Sequence, residues 1–158
     1  MDGKMINPEQ HRQLFLDDGA IQSMDGVTRT LHQPQKCGPV IQPDRSQNQN
    51  AVQSRSSPIW NPEKDIWEWW YWGYYPTEPY GPRQTASMSL THYATSADGE
   101  AWDTSPLRLF EWQGNPDNNI ALDPAEGSLT VYHILRDDLD TDPARRYKGL
   151  FGKSDRGI

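Results

Sequence analysis

Four aspartates lie close together after the apolar run Leu129–Leu135. They are Asp137, Asp138, Asp140 and Asp142. Clustered carboxylates can carry out acid–base chemistry, hold a hard cation, or solvate a surface loop. The glycine-containing spacing of an EF-hand calcium loop is absent, so the sequence predicts no metal site. A solvated charge cluster is the ordinary interpretation of such a loop.

The segment Ile66–Tyr75 (IWEWWYWGYY) is the most aromatic part of the chain. Flat aromatic rings can stack on the apolar face of a sugar, and they also dominate protein cores. Because side chains alternate along a strand, one strand cannot direct every ring at one ligand. Core packing is therefore expected for most of the run. The tyrosines at its end and in the following loop are candidate substrate contacts: Tyr74, Tyr75 and Tyr80.

Other reactive side chains form no recognisable motif. His92 and His133 each lie singly in a predicted strand, outside any zinc-binding spacing. A nucleophile elbow of the Gly-x-Ser-x-Gly type is absent, and so is a glycine-rich phosphate loop. The single cysteine, Cys37, excludes an internal disulfide and has no helix to lower its pKa. The sequence therefore predicts no cofactor.

Charge and hydropathy limit the partners and the compartment. The 158 residues include 15 Lys plus Arg and 22 Asp plus Glu, for a net charge of -7. This charge disfavours nucleic acid and anionic membranes as partners. No stretch approaches the roughly 20 apolar residues of a membrane helix, and the N-terminus lacks the apolar region of a secretory signal. A cytoplasmic location is slightly favoured, and an extracellular one stays open as an alternative if the sequence is truncated at its N-terminus.

The composition favours β-structure over a helical bundle, since aromatic residues are frequent in strands and aliphatic residues are few. The polar segment Asp44–Ser57 is predicted to be a long loop. Short extended pieces are expected at Ala20–Ile21 and Val27–Leu31. The main predicted strands are, in order, Ile59–Trp60, Ile66–Tyr75, Ala86–Thr95, Leu107–Trp112, Leu129–Leu135 and Tyr147–Phe151.

These strands fall into two groups. Residues 58–113 would form one four-stranded unit, residues 127–158 would begin a second, and residues 1–57 would be an irregular lead-in and loop. Repeated four-stranded units are typical of β-propeller blades. The expected fold is therefore all-β: an incomplete β-propeller with one full blade and part of another, the N-terminal portion of a single domain. Further blades or another chain would be needed to close the ring.

The segment Ser96-x-Asp98-Gly99-x-x-Trp102 predicts a tight turn. Short serine and aspartate side chains can bond turn amides, and glycine can adopt a positive φ. The Trp102 ring can then fold back on the turn. A structural role is expected for this segment, because a calcium site would need about six to eight oxygen ligands that cannot be named here.

Taken in order, several segments resemble bacterial proteins related to glycoside hydrolase families 32 and 43, which are five-bladed β-propellers. The match begins near residue 13 and covers nearly the whole chain. The segment Tyr93–Trp102 is close to a recurrent Ala-Thr-Ser-x-Asp-Gly-x-x-Trp signature. The other matching segments are Leu14–Asp18, Val27–His32, Gly38–Asp44, Trp69–Gly73, Asp117–Ile120 and Arg145–Lys148.

The resemblance implies hydrolysis of a glycosidic bond by two carboxyl groups. One aspartate should lie near the first inner strand, but Gln53–Trp60 contains no carboxylate, so Asp44 is the nearest upstream candidate. The segment Arg136–Asp138 resembles the Arg-Asp-Pro motif of family 32, with an aspartate in place of the proline. By this resemblance Asp137 is the second catalytic candidate and Arg136 a substrate contact. A third acid would come from a later blade, beyond this sequence.

Three functions follow from these observations. The chain could be part of a glycosidase-like protein, a carbohydrate-binding propeller without catalysis, or a structural module completed by a partner. The first two differ in whether two carboxylates face a shared pocket about 5–10 Å apart. Open strand edges would favour the third. An oligosaccharide or polysaccharide is the expected ligand, with neither nucleic acid nor membrane as partner.

Overall fold

The computed structural model describes residues 17–19, 21–79, 85–126 and 128–154. The chain divides into two units, Met1–Lys36 and Cys37–Ile158. In the described residues of the first unit there is neither helix nor strand. The extended piece predicted at Val27–Leu31 therefore forms no strand. An ion pair of 2.8 Å joins Arg29 to Asp18 within this unit.

The second unit contains two antiparallel sheets, so the all-β class predicted from the composition is confirmed. Its strands are β1 (Ala51–Gln53), β2 (Ile59–Asn61), β3 (Ile66–Pro79), β4 (Thr85–Ser96), β5 (Ser128–Arg136) and β6 (Tyr147–Ser154). Among the described residues the helices are short 3-10 turns: Arg45–Gln47, Pro124–Glu126 and Pro143–Arg145. Within the same residues, no helix is long and apolar enough to cross a membrane.

The long aromatic strand β3 is the centre of the first sheet. On one edge it pairs with β4, and on the other edge it pairs with both β1 and β2. β2 covers the start of β3, where Trp60 lies opposite Trp67, and β1 covers a later stretch, where Gln53 lies opposite Trp72. β3 has aromatic side chains on both faces, and aromatic residues pack well on a pleated surface.

Two predictions about this sheet are wrong. Leu107–Trp112 is not the fourth strand, because the amides of Leu107 and Arg108 both donate to the Asn118 carbonyl and Arg108 has a φ of 56°. Such a turn cannot continue a ladder. The fourth strand is instead β1, which lies inside the segment Asp44–Ser57 that was expected to be a loop.

Side-chain alternation gives the first sheet two different faces. One face, here called the His92 face, carries Tyr71, Gly73 and Tyr75 from β3 beside His92 from β4. The segment 102–121 packs over this face, where Tyr75, Leu90 and Ile120 form a buried core. The opposite face, here called the Glu68 face, carries Glu68, Trp70, Trp72 and Tyr74.

The second sheet, β5 and β6, packs on the Glu68 face. The indole nitrogen of Trp72 donates to the Val131 carbonyl at 2.7 Å, and the Val131 amide donates to the Thr91 hydroxyl at 3.2 Å. A register shift between Val131 and His133 interrupts the β5–β6 ladder at this point. Val131 still pairs with Phe151, and Tyr132 is the extra residue that the ladder skips, so the contact with the first sheet lies directly beside the bulge.

The turn after β4 has the structure predicted from its sequence. The Ser96 hydroxyl accepts from the Gly99 amide at 2.8 Å, and Asp98 accepts from the Glu100 and Ala101 amides, each at 2.8 Å. Gly99 has a φ of 79°. The Trp102 indole donates back to the Gly99 carbonyl at 3.0 Å, so the structural interpretation of this segment is confirmed.

Candidate functional site

An arginine and three aromatic rings meet at the border of the two sheets. We call this group the Arg55 cluster; its members are Gln53, Arg55, Trp72, Tyr74 and Tyr132. The guanidinium carbon of Arg55 lies 5.1 Å from the centroid of the Trp72 ring and 5.6 Å from that of Tyr132. These distances are those of cation–π contacts. Arg55 and Tyr132 are exposed, and Trp72 forms the floor at 5% exposure.

Strand register assembles this cluster from three separate segments. Trp72 and Tyr74 are two residues apart on β3, so they share a face. Gln53 lies opposite Trp72, which places both side chains on that same face. Arg55 follows just after β1 ends. Tyr132 comes from the bulge in β5, where it and His133 are both exposed in succession, and a bulge re-aims side chains in this way.

The ring contacts fix the cluster's shape. Trp72 and Tyr132 meet edge to face with centroids 5.4 Å apart, and Trp72 and Tyr74 are 6.3 Å apart. The Tyr74 hydroxyl donates to Gln53 Oε1 at 2.7 Å. This bond leaves the amide nitrogen of Gln53 available as a donor. Burial raises the pKa of Tyr74 despite the opposing charge of Arg55, so its hydroxyl stays protonated at neutral pH.

Within the part of the chain that the structure describes, Arg55 has no carboxylate partner. It lies in an acidic protein, and among the other described arginines Arg45 likewise has no ion pair, whereas five do have such partners. These are Arg29, Arg108, Arg136, Arg145 and Arg146. The cluster therefore offers an accessible cation, an amide donor and exposed ring surface at one place.

The other tyrosines predicted as substrate contacts are not in this cluster. Tyr75 is 1% exposed, and its hydroxyl lies 3.0 Å from His92 Nε2, so here it belongs to the core. Tyr80 lies outside the described residues. Tyr74 is the candidate that the structure brings to an exposed site, where it is half-buried.

Arg136 is a buried structural residue here, with a side chain only 3% exposed. It donates to Asn61 Oδ1 and forms an ion pair of 3.0 Å with Glu63. Asp138 lies 2.9 Å from Arg136 Nε but outside hydrogen-bonding direction, so that contact is electrostatic. The predicted substrate-binding role for Arg136 thus has no exposed donor to support it in this structure.

The two catalytic candidates lie on opposite sides of the first sheet. Asp44 caps the 3-10 helix Arg45–Gln47, and its amide bonds Gln49, which reaches His92 on the His92 face. Hydrogen bonds from Ser46 lower the pKa of Asp44. Asp137 directly follows β5 on the other side, where it binds Lys148 and accepts from the Leu139 amide at 3.1 Å. The structure does not bring the pair to a shared pocket.

Asp137 and Asp140 form ion pairs with Lys148 on β6. Lys148 contacts Asp140 at 3.0 Å, and Asp142 caps the 3-10 helix Pro143–Arg145. The hydrogen bond from Lys148 lowers the pKa of Asp137. In the described residues no group of three or more metal-binding side chains forms. These contacts agree with the interpretation of the aspartates as a charged surface loop.

A shallow depression on the His92 face is less suited to a polar ligand than the Arg55 cluster is. Its lining is Val40, Ile41, Val52, Gln53, Ser54, Trp69 and Tyr71. The Trp69 indole nitrogen already donates to the Ser54 hydroxyl at 2.9 Å and to the Ser56 carbonyl at 2.8 Å. The Gln53 side chain is directed to the opposite face with Tyr74. The depression therefore offers mainly apolar surface.

Sequence reasoning missed Arg55 and Tyr132 as site residues. Arg55 lies in a polar segment that resembles a loop, and nothing local distinguishes it from other arginines. Tyr132 is one aromatic residue in a strand of alternating character. Only the pairing of β1 with β3 and the bulge in β5 bring them together, and neither feature can be read from local sequence.

The chemistry of this site has to follow from its own geometry. The chain matches no family model, no curated protein and no solved structure. The likeness to glycoside hydrolase families 32 and 43 therefore rests on the segments quoted above. The described structure adds an all-β fold and one exposed cluster of sugar-compatible side chains.

Proposed function

We propose that this chain binds carbohydrate through the Arg55 cluster. The observation that carries the proposal is the convergence of Arg55, Tyr74 and Tyr132 on one exposed site from three distant segments. Sugars present an apolar C–H face and a rim of hydroxyl groups. An exposed ring edge beside charged and amide donors complements both features.

Each member of the cluster has a distinct role in this proposal. The Tyr132 ring, 40% exposed, supplies stacking surface. The Gln53 amide and the Arg55 guanidinium donate to sugar oxygens. Trp72 holds Arg55 and Tyr132 in place, because its own nitrogen is fixed to the Val131 carbonyl. Binding sites gain affinity when their groups are ordered beforehand.

We further propose that the two sheets are parts of successive propeller blades in a glycosidase-like protein. The antiparallel strands of both sheets and the contact of β5 with the Glu68 face support this interpretation. Hydrolysis by Asp44 and Asp137 stays a prediction from the resemblance. Since those residues lie on opposite sides of the first sheet, binding has more support than catalysis.

The test is calorimetric titration with a panel of short oligosaccharides, comparing the unaltered chain with Tyr132→Ala. We expect the substitution to weaken binding at least several-fold, because it removes the exposed ring of the cluster. Trp60→Ala is the matched control, since Trp60 is 37% exposed and lies opposite Trp67, seven residues along β3 from Tyr74. Equal loss in both variants, or no binding by the unaltered chain, would contradict the proposal.

A second candidate function is self-association through the outer face of the second sheet. Leu135 and Leu150, which share that face by the strand register, are 53% and 69% exposed. Among the described strands, β6 pairs only with β5, so its other edge is open. Open edges beside apolar side chains favour pairing with an identical strand. We expect a dimer by sedimentation that Leu150→Lys disrupts; a monomer at every concentration would exclude this candidate.

A further inference from the structure

We propose that the Arg55 cluster selects sugars that carry a carboxylate, which are uronic acids; this inference rests on the proposed carbohydrate binding. The first reason is charge. The Arg55 guanidinium has no carboxylate partner among the described residues, although the chain carries 22 acidic residues. A cation kept free of partners at an exposed site can receive an anionic ligand.

The second reason is geometry. A guanidinium held over an aromatic ring keeps the N–H groups of its rim available for hydrogen bonding. Those groups match the two oxygens of a carboxylate in a bidentate contact. The rings of Trp72 and Tyr132 hold the Arg55 cation from two directions, with ring planes 81° apart. The cation is thus positioned before the ligand arrives.

The third reason is the division of roles around the cation. A uronic acid has both a carboxylate and a pyranose ring with hydroxyl groups. Arg55 can bind the carboxylate while the exposed Tyr132 ring contacts the sugar and the Gln53 amide nitrogen donates to a hydroxyl. A simple anion such as phosphate would use only the first of these contacts.

The protein's net charge limits the kind of anion. At a net charge of -7, a densely charged polyanion is repelled over distances of about a Debye length, roughly 8 Å at physiological salt. One guanidinium offsets one carboxylate. A short oligosaccharide with isolated carboxylates fits this balance better than a heavily sulfated chain.

The experiment compares three probes at matched length: trigalacturonic acid, its methyl ester and sulfated galactotriose. We expect the unaltered chain to prefer the acid over its ester by about tenfold, which corresponds to about 1.4 kcal/mol. Arg55→Gln should remove that preference, because it should weaken binding of the acid much more than binding of the ester. Added salt should weaken acid binding and not ester binding.

The control is Arg45→Gln, another exposed arginine from the same polar segment, which should keep the acid preference. Near-ultraviolet circular dichroism checks that both variants remain folded. If acid and ester bind equally in the unaltered chain, sugar binding stands and this inference fails. If the sulfated sugar binds as tightly as the acid, selection for carboxylate is overturned. If no sugar binds, the proposed function fails together with this inference.

Discussion

The hydroxyl of Tyr147 on β6 donates a hydrogen bond to the carboxylate of Glu68 on β3, across the interface between the two sheets. Glu68 is 2% exposed and also accepts from Tyr93 at 2.7 Å and from Lys64 at 3.1 Å. Asn61 donates to the same carboxylate at 3.1 Å. A buried carboxylate needs such partners, because an unpaired charge in the interior is very costly.

Glu68→Gln should lower the free energy of unfolding by about 1–3 kcal/mol, since it replaces a charged acceptor of several donors. Tyr147→Phe should lower the free energy of unfolding by less than Glu68→Gln does, because Tyr147 is partly exposed. The double variant should lose less free energy of unfolding than the two single variants lose together, because the two residues contact one another. Urea unfolding of all three measures this coupling, with exposed Glu100→Gln as control. Strict additivity would show that the bond contributes nothing.

Acid should weaken the same interface. Burial alone would raise the pKa of Glu68, but hydrogen bonds from Tyr147, Tyr93, Lys64 and Asn61 outweigh it and lower the pKa below 4.5. The stabilisation is therefore present above pH 4.5 and is lost as the pH falls through the folded-state value. Below pH 4.5, the free energy of unfolding should fall less steeply with decreasing pH for Glu68→Gln than for the unaltered chain. The same pH dependence in both chains would contradict the assignment of this loss of stability to Glu68.

His92 should produce a separate pH dependence at milder acidity. Burial lowers its pKa from 6.5 to about 4, despite the hydrogen bond to Asn119. The unfolded chain thus binds more protons between these values, and stability should fall by up to about 1.4 kcal/mol per unit as the pH drops from 6.5 towards 4. His92→Gln should remove this slope, whereas the exposed His133→Gln should keep it. A flat profile for the unaltered chain between pH 6.5 and 4.5 would refute the prediction.

Gly73→Ala should destabilise the chain strongly. A Cβ atom at this position would lie 2.5 Å from His92 Nε2 and would also collide with Gln49. Overpacking in a core of this kind costs about 1–3 kcal/mol. Gly149→Ala is the matched control, because its nearest atom would be 3.7 Å away, an ordinary contact. Thermal unfolding should separate the two variants clearly, and equal melting temperatures would show that the His92 network can move aside.

Trp72→Phe should reduce both stability and sugar binding. It keeps an aromatic floor but removes the donor to the Val131 carbonyl, leaving a buried acceptor unpaired at a cost of about 1–3 kcal/mol. Arg55 would also lose part of its stacking surface. Calorimetric unfolding and sugar titration of Trp72→Phe against Trp60→Phe measure both effects. Unchanged affinity would mean that Tyr132 positions Arg55 without help from Trp72.

The sequence was most informative where a local pattern determines local structure. The aromatic segment predicted as Ile66–Tyr75 is the core of β3, and the strands near Leu129 and Tyr147 are present. The turn at Ser96 to Trp102 follows from side chains that bond their own backbone. These features depend on residues only a few positions apart.

Predictions failed where distant pairing decides the outcome. Leu107–Trp112 has strand-like composition, but its backbone turns to bond Asn118 and the segment packs across the His92 face. Ala51–Gln53 looks like part of a polar loop, and it becomes a strand because the edge of β3 offers backbone partners. The Arg55 cluster was missed for the same reason, since the pairing of β1 with β3 and the bulge in β5 bring its members together.

The bulge in β5 links the register of a strand pair to the composition of the exposed site. At Val131 and His133 the ladder shifts, and Tyr132 is placed beside Trp72 as a result. Deleting Tyr132, the extra residue that the ladder skips, would restore an unbroken alternation while Val131 and His133 keep their partners Phe151 and Leu150. The exposed ring of the Arg55 cluster is therefore specified by one extra residue in β5. A single-codon deletion at this position would remove that ring and leave the cross-strand pairs on either side of it in place.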